Sequence, residues 1–326
     1  PAISVITIVK DNEKLLPRAI DSVRSQSFTD FEYLIVNDGS TDGTKQLIDA
    51  HASRDKRLKP IHMAVNVGRA MARNTGMGKA GGRYILYLDA DDYLPATALA
   101  DLHGLAEKDT ADIVYCGTRC FDQSTGKWLS GHYTEKVINR ELHGFQLQDH
   151  LALVDNHLIV GRLFRRSTLE KKMIRFSTKR KNGEDVPFAF YTAFHAKRLS
   201  MNPEKITYCY SLGNYLGTAN EAKLFDARDS IHETIVFALN YGGYALQQRM
   251  KRKGALSASS LKRAQAVYNG RDNWLAAYLP TLRPLVEYLT TDILNTLPPY
   301  PQRFSQALLA EDYAAALAAW QHRNGL

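Results

Sequence analysis

The chain has 326 residues and a mass of 36.6 kDa, room for one large core and an appendage. Apolar and charged fractions of 44% and 23% are those of an ordinary soluble protein, and no window approaches the roughly 18 uninterrupted apolar residues that span a bilayer. The net charge of +8 is uneven: nine of the twenty residues from Arg162 to Lys181 are basic and only Glu170 is acidic. Such a block suits a phosphorylated substrate, a lipid headgroup surface or nucleic acid, or is simply a solvated basic face.

Residues 3–9 read as a buried strand opening the chain, with no signal-type pattern before it. Residues 13–25 follow with Leu15, Leu16, Ile20 and Val23 at the spacing of a helix face. Then come a strand at 32–37, a helix after Ser40-Thr41-Asp42, a strand near 58–63, a helix at 67–79 and a strand at 83–88. A further helix is expected after Pro95, and a short strand at 113–116. Strands alternating with helices of this length imply an α/β fold with a mixed, mostly parallel sheet and helices on both faces. The pattern loosens from 122 to 148, and resumes as a buried helix at 186–199 and a strand at 206–210. No strand pattern persists beyond about residue 217, where helical stretches are expected at 224–250, 256–278 and 311–320. The chain therefore divides into 1–216 and an all-helical region, 217–326. Cys116, Cys120 and Cys209 have no metal-ligand spacing and read as reduced, partly buried thiols, which favours a reducing, cytoplasmic compartment.

Asp89-Ala90-Asp91-Asp92 directly follows the apolar run Tyr84 to Leu88. Like charges so close are costly unless a cation sits among them. A hard divalent ion, Mn2+ or Mg2+, takes one or two carboxylates plus substrate phosphates, and open α/β sheets bind ligands at the carboxyl ends of strands. The alternative is a solvated acidic turn in which Asp92 or a neighbour caps the next helix. Asp38-Gly39-Ser40 ends the second strand; Asp38 can accept from a base N–H, or the segment is only a turn with Ser40 or Thr41 as a helix cap. Arg69 and Arg73 share a helix face, suited to a diphosphate or base edge, or to solvent. Gly76-Met77-Gly78-Lys79-Ala80-Gly81 matches the dinucleotide fingerprint literally but closes a helix and precedes a strand, the wrong context for it. Glu184-Asp185 opens an apolar helix, as a plain cap or as a general base beside a second acidic cluster.

In order, the strand Ser4 to Val9, Asn37-Asp38-Gly39-Ser40-Thr41-Asp42, Asn66-Val67-Gly68 leading to Ala72-Arg73-Asn74, Leu88-Asp89-Ala90-Asp91-Asp92 and Gly183-Glu184-Asp185 resemble the family 2 glycosyltransferases of the GT-A fold, over about residues 2–215. That resemblance implies an inverting transferase that uses a nucleotide-diphospho-sugar, most often UDP-linked, in bacterial capsule, O-antigen or lipopolysaccharide synthesis. It implies nucleotide-sugar contacts at Thr7, Val9, Asp38, Asn66, Arg73, Asp89, Ala90 and Asp91. Asp38 and Arg73 would be on the base or phosphate side and Asp89 on the ribose. Asp91, with Asp89, would hold Mn2+ or Mg2+; Asp185 would deprotonate the acceptor hydroxyl, with Glu184 orienting the acceptor. His195 is a further metal candidate or, alternatively, a packing residue. The sequence departs from the family at Ile8 and Lys10, where a proline and a tyrosine are frequent. It departs again at residues 157–166, which lack the usual tryptophan-asparagine-lysine stretch.

In the helical region, basic residues at 250–254 with Lys262 and Arg263 interleave with Tyr241, Tyr244, Tyr268, Trp274 and Tyr278. They suit an interfacial helix that meets a lipid-linked acceptor at the inner membrane face, or packing on the catalytic region or a second copy. No nucleic-acid motif accompanies them. Two rival functions are a sugar nucleotidyltransferase, which would normally carry a glycine-rich basic loop where this chain has Lys10 to Leu15, and a catalytically idle GT-A domain with an assembly or docking role.

Overall fold

Strand β1 (Ile3–Val9) is buried along nearly its whole length, so it needs cover on both faces of the sheet. In the computed structural model of the protein it is hydrogen-bonded in parallel to β2 (Phe31–Asn37) on one side and β4 (Tyr84–Tyr87) on the other. The structure describes residues 1–122, 125, 127–129, 137, 139–212, 221–258 and 278–324. They divide into two compact units, Pro1–Tyr215 and Leu216–Leu326.

In the first unit β3 (Leu58–His62) extends the parallel half beyond β2. Beyond β4 lie β8 (Arg162–Arg165), antiparallel to both neighbours, then β5 (Ile113–Asp122), β9 (Leu199–Leu212) and β7 (Leu142–Phe145). A short β6 (Lys127–Leu129) pairs with β5. Helices α1 (Leu16–Arg24), α2 (Thr44–Ala52), α3 (Arg69–Lys79) and α4 (Ala98–Lys108) connect the parallel strands and lead to β5. After β8 come α5 (Arg166–Lys171) and α6 (Asp185–His195). Strand order reverses at β1, so the crevice lies at the carboxyl ends of β1, β2 and β4, where Asp38 and Asp89 emerge.

Strands β5 and β9 are much longer than the segments 113–116 and 206–210 expected from alternation. They pair with each other across register shifts at Gly117, where a Cβ would fall 2.3 Å from the Pro203 carbonyl oxygen. A glycine and a proline at this irregularity break the sequence pattern while the ladder continues. Gly76 is also a packing position: a Cβ there would meet Ile6 Cγ2 at 2.7 Å, so it lets α3 lie close to the sheet. The literal dinucleotide fingerprint thus belongs to the helix–sheet contact and the end of α3.

In the second unit the stretch expected as one helix at 224–250 is two, Glu221–Tyr241 and Tyr244–Ala258, separated by Gly242 and Gly243. Two successive glycines cost a helix about 2 kcal/mol relative to alanine. Further helices run over Thr291–Asn295 and Pro299–Leu309, which the sequence pattern did not reveal, and over Tyr313–Asn324. Most of the helix expected at 256–278, with Lys262, Arg263, Tyr268 and Trp274, lies outside the described residues. Among the described residues no helix is long and apolar enough to cross a membrane.

Candidate active site

Asp38 follows β2 into a sharp turn. Gly39 has φ +64°, and a Cβ there would lie 2.5 Å from Asn66 N, so only glycine fits. The turn brings Asp38 under the loop that starts α3, where Oδ1 accepts from Val67 N at 2.7 Å and Oδ2 from Gly68 N at 3.0 Å. Asn66 Oδ1 also accepts from Gly68 N. Gly39→Ala is expected to destabilise the protein by more than about 1 kcal/mol, measured by denaturant unfolding, because the backbone conformation and the space both exclude a side chain. Neither Ser40 nor Thr41 caps α2, whose N-cap, Gly43, has no side-chain capping hydrogen bond. Asp42 Oδ1 accepts from Thr44 N, while Ser40 and Thr41 tie the loop after β1 through Asp11.

Arg73, on α3, is 4% exposed and sits among three carboxylates. Its Nη1 is 2.5 Å from Glu184 Oε1 and 3.4 Å from Asp185 Oδ1, and its Nη2 is 3.4 Å from Asp89 Oδ1. Burial disfavours its charge, but Asp185, Asp89 and Glu184 outweigh that and hold the guanidinium above its ordinary value. A solvated pair with Arg69 is therefore ruled out for Arg73: only Arg69 is open to solvent, 46% exposed at its side chain and 3.4 Å from Glu184. The guanidinium also lies over the Phe176 ring, 5.4 Å from its centroid.

Glu184 is buried beneath the two arginines. It is 2% exposed, Oε1 is engaged by both arginines, and Oε2 has no hydrogen-bond partner among the described residues. Burial and then Asp185 push its carboxyl up, against Arg73 and Arg69. Asp185, in the first turn of α6, is 39% exposed at its side chain, so it is the member of the pair that a ligand can reach.

The acidic loop after β4 is held from below. Tyr208 on β9 donates its hydroxyl to Asp92 Oδ2 at 2.6 Å and accepts from Asp89 N at 3.2 Å, and Ser211 N donates to Asp92 Oδ1 at 2.7 Å. Arg18 on α1 donates to the Asp91 carbonyl at 2.5 Å and to Ser211 Oγ, with its guanidinium 5.0 Å from the Tyr93 centroid. Asp92 is thus no helix cap; it is a buried anchor, 4% exposed, and Thr97, with no capping hydrogen bond, precedes α4. Neither Arg18 nor Tyr208 carries a sequence signal for this role, since each comes from an element remote in the chain.

Burial and then Asp89 raise the Asp91 carboxyl, and the same causes push Asp92 up to about 8. Between the ordinary carboxylate range and about 8 the folded protein binds the Asp92 proton and the unfolded chain does not, so this group's contribution to stability falls as pH rises. With EDTA present, the melting temperature is expected to decline between about pH 5 and about pH 8 more steeply in the wild type than in Asp92→Asn. Equal slopes would show that Asp92 ionises normally.

Asp89 and Asp91 remain accessible as oxygen ligands, their cluster disfavours its own charge, and among the described residues no group of three or more His, Cys, Asp or Glu side chains forms a complete cage. That donor set fits Mn2+ or Mg2+ completed by diphosphate and water. Ala90 is 8% exposed between them. His195 ends α6, ten residues from Asp185 and so about 15 Å along the helix axis, with its basicity lowered by burial and Lys172. It is not brought to the acidic loop. Thr7 is fully buried and shares a 2.9 Å hydrogen bond with the Tyr33 hydroxyl, so its side chain is a core group. Val9 is 4% exposed, and its carbonyl accepts from Asp38 N.

A crevice at the carboxyl ends of parallel strands, with an acidic loop and a second acidic pair across an arginine, defines a GT-A sugar-transfer fold. The profile of glycosyl transferase family 2 matches residues 4–171, and the chain belongs to that family. The uncharacterized glycosyltransferase EpsJ of Bacillus subtilis is 30% identical over 208 residues, 63% of this chain and 59% of EpsJ, so the chain spans under two thirds of that relative. The S. aureus TarS 1-349 structure superposes with a TM-score of 0.81 at 19% identity, covering all of this chain and 92% of TarS 1-349; its complex with UDP-GlcNAc gives 0.78. The mannosyltransferase PcManGT of Pyrobaculum calidifontis, in complex with GDP-Man and Mn2+, gives 0.60 at 19% identity, covering 98% of this chain and 86% of PcManGT.

Proposed function

We propose that this glycosyltransferase inverts the anomeric centre as it moves a sugar from a nucleotide-diphospho-sugar, UDP-linked, to a hydroxyl of a glycan or lipid-linked acceptor in bacterial surface polysaccharide synthesis. The observation that carries this reading is the single guanidinium of Arg73 between Asp89 and Asp185, 3.4 Å from each. It brings the end of β4, suited to the donor, and the start of α6, suited to the acceptor, to either side of one cation.

In this reading Asp185 takes the proton from the acceptor hydroxyl as the new glycosidic bond forms, while the bond from the anomeric carbon to the diphosphate breaks on the far face. Asp38 and Asn66 border the nucleotide, and the spare lone pairs of Asp38 are what a base N–H would meet. Asp89 and Asp91 would hold Mn2+ or Mg2+, which supplies Lewis-acid neutralisation of the leaving diphosphate when bound. Residues 1–216 would form the catalytic domain, and 217–326 would contact the acceptor, the inner membrane face or a second copy. UDP-GlcNAc in TarS supports a UDP-linked donor, and Mn2+ in PcManGT supports the metal.

Incubation with UDP-sugars and Mn2+ should release nucleoside diphosphate; release of pyrophosphate from a nucleoside triphosphate and a sugar phosphate would identify a nucleotidyltransferase instead. Asp91→Ala is expected to lower that release by roughly 10²–10³-fold and to abolish the Mn2+-dependent thermal shift by UDP, as losing several kcal/mol of leaving-group stabilisation requires. A panel of UDP, GDP, CMP and dTDP with and without Mn2+ reads the nucleotide at the same time. Unchanged release in Asp91→Ala would refute the metal assignment.

A further inference from the structure

The basic block between Arg162 and Lys181 is two different structures. Its first three arginines are used internally. Arg162 is 2% exposed and donates to the Asn156 carbonyl, Arg165 lies against Asp112, and Arg166 pairs with Glu170 at 2.5 Å. That last contact neutralises the only acidic residue of the block. From Lys171 onward the chain forms a ribbon with no Asp or Glu until Glu184. Lys171, Lys172, Lys179 and Lys181 are exposed, and none forms an ion pair among the described residues.

The ribbon is fastened to the catalytic helix rather than loose. Ile174 and Phe176 point inward, and Phe176 stacks on Phe188 with ring centroids 3.9 Å apart. Asn74, next to Arg73 on α3, exchanges two 2.9 Å hydrogen bonds with the Phe176 backbone, and Arg69 donates to Asn182 Oδ1 at 3.2 Å. The ribbon then runs into α6, and Lys181 is four residues from Asp185, within about 14 Å. The unneutralised charge therefore leads to the acceptor side of the site. The donor diphosphate is already matched by the cation site at Asp89 and Asp91.

We propose that the acceptor is a polyanion, a chain bearing phosphate groups that lies along residues 171–181 as its terminal hydroxyl reaches Asp185. This rests on the transferase reading and names the class of acceptor within it. Spread lysines are flexible point charges suited to repeated anions, whereas one fixed phosphate favours the planar fork of arginine. A membrane surface fits less well, because the ribbon's only largely exposed apolar side chain is Met173, 82% exposed, and an interfacial surface needs a broad apolar face.

Long-chain inorganic polyphosphate serves as the probe, with neutral dextran as the blank and phosphatidylglycerol vesicles as the membrane arm. Binding to the full chain is measured by titration calorimetry for the wild type, for K171Q/K172Q/K179Q/K181Q and for a charge-matched control, K56Q/K79Q/K108Q/K197Q, after thermal melts confirm folding. The wild type should bind polyphosphate with an affinity that falls steeply between about 50 and 200 mM salt, and the ribbon variant should lose about tenfold or more while the control loses far less. Equal losses in the two variants, or ribbon-dependent binding to vesicles with none to polyphosphate, would overturn the proposal. Release of UDP from a UDP-sugar by the unmodified protein, measured in parallel, tests the transfer reading separately; its failure with ribbon-specific binding intact would sink only that reading.

Discussion

Asp185→Asn is expected to lower the turnover number for sugar transfer by about 10³-fold, within the range a positioned general base contributes. The affinity for UDP with Mn2+ should stay within about twofold, since the substitution is isosteric and lies on the acceptor side. The expectation rests on the difference between two adjacent acids. Glu184 is sealed beneath two arginines, while Asp185 keeps an open edge toward the crevice at the start of α6. Asn at 185 can still accept from Arg73 but cannot take a proton from a hydroxyl. Initial rates of transfer and UDP titration on the same preparation separate the two quantities. Turnover above about a tenth of the wild-type value would place the base elsewhere.

Arg73→Met should cost about 3–5 kcal/mol of stability, because it removes the buried cation shared by Glu184, Asp185 and Asp89 and leaves Glu184 only the exposed Arg69. At about 2–4 °C per kcal/mol for a domain of this size, the melting temperature should drop by about 6–20 °C. Adding Glu184→Gln should recover part of that loss, since a neutral amide no longer needs the guanidinium, and the double-mutant cycle measures the coupling. Arg73→Lys should not restore the wild type. One ammonium cannot occupy both positions that Nη1 and Nη2 hold, toward Glu184 and Asp185 on one side and toward Asp89 on the other. A melting temperature unchanged in Arg73→Met would mean that the three acids do not depend on it.

How much was legible in the chain depended on whether a signal was local. The α/β alternation and the acidic loop after β4 are visible because each is written in consecutive residues, and the resemblance to the GT-A fold rests on the order of such local motifs. Longer-range features are not visible. Alternation marks only 113–116 and 206–210 of strands β5 and β9, because a glycine and a proline at their shared irregularity interrupt it. The resemblance places Arg73 on the base or phosphate side, yet its ion pairs among the described residues are with carboxylates 16 to 112 residues away. The resemblance gives Thr7 as a nucleotide-sugar contact, and its side chain is a core hydroxyl paired with Tyr33; His195 shares a helix with Asp185 but stands at its opposite end.

The order of strands and acidic motifs along the chain was sufficient by itself to determine the family and the chemistry's raw materials. Tertiary structure alone decided which charges are spent and which are available. It buried Glu184 and left Asp185 open, turned Asp92 into an anchor through Tyr208 and Ser211, and divided one basic block into internal arginines and an open lysine ribbon. The reason is physical: an ionisable side chain's role is set by its desolvation and by the opposite charges within a few ångströms of it, and those neighbours come from anywhere in the sequence.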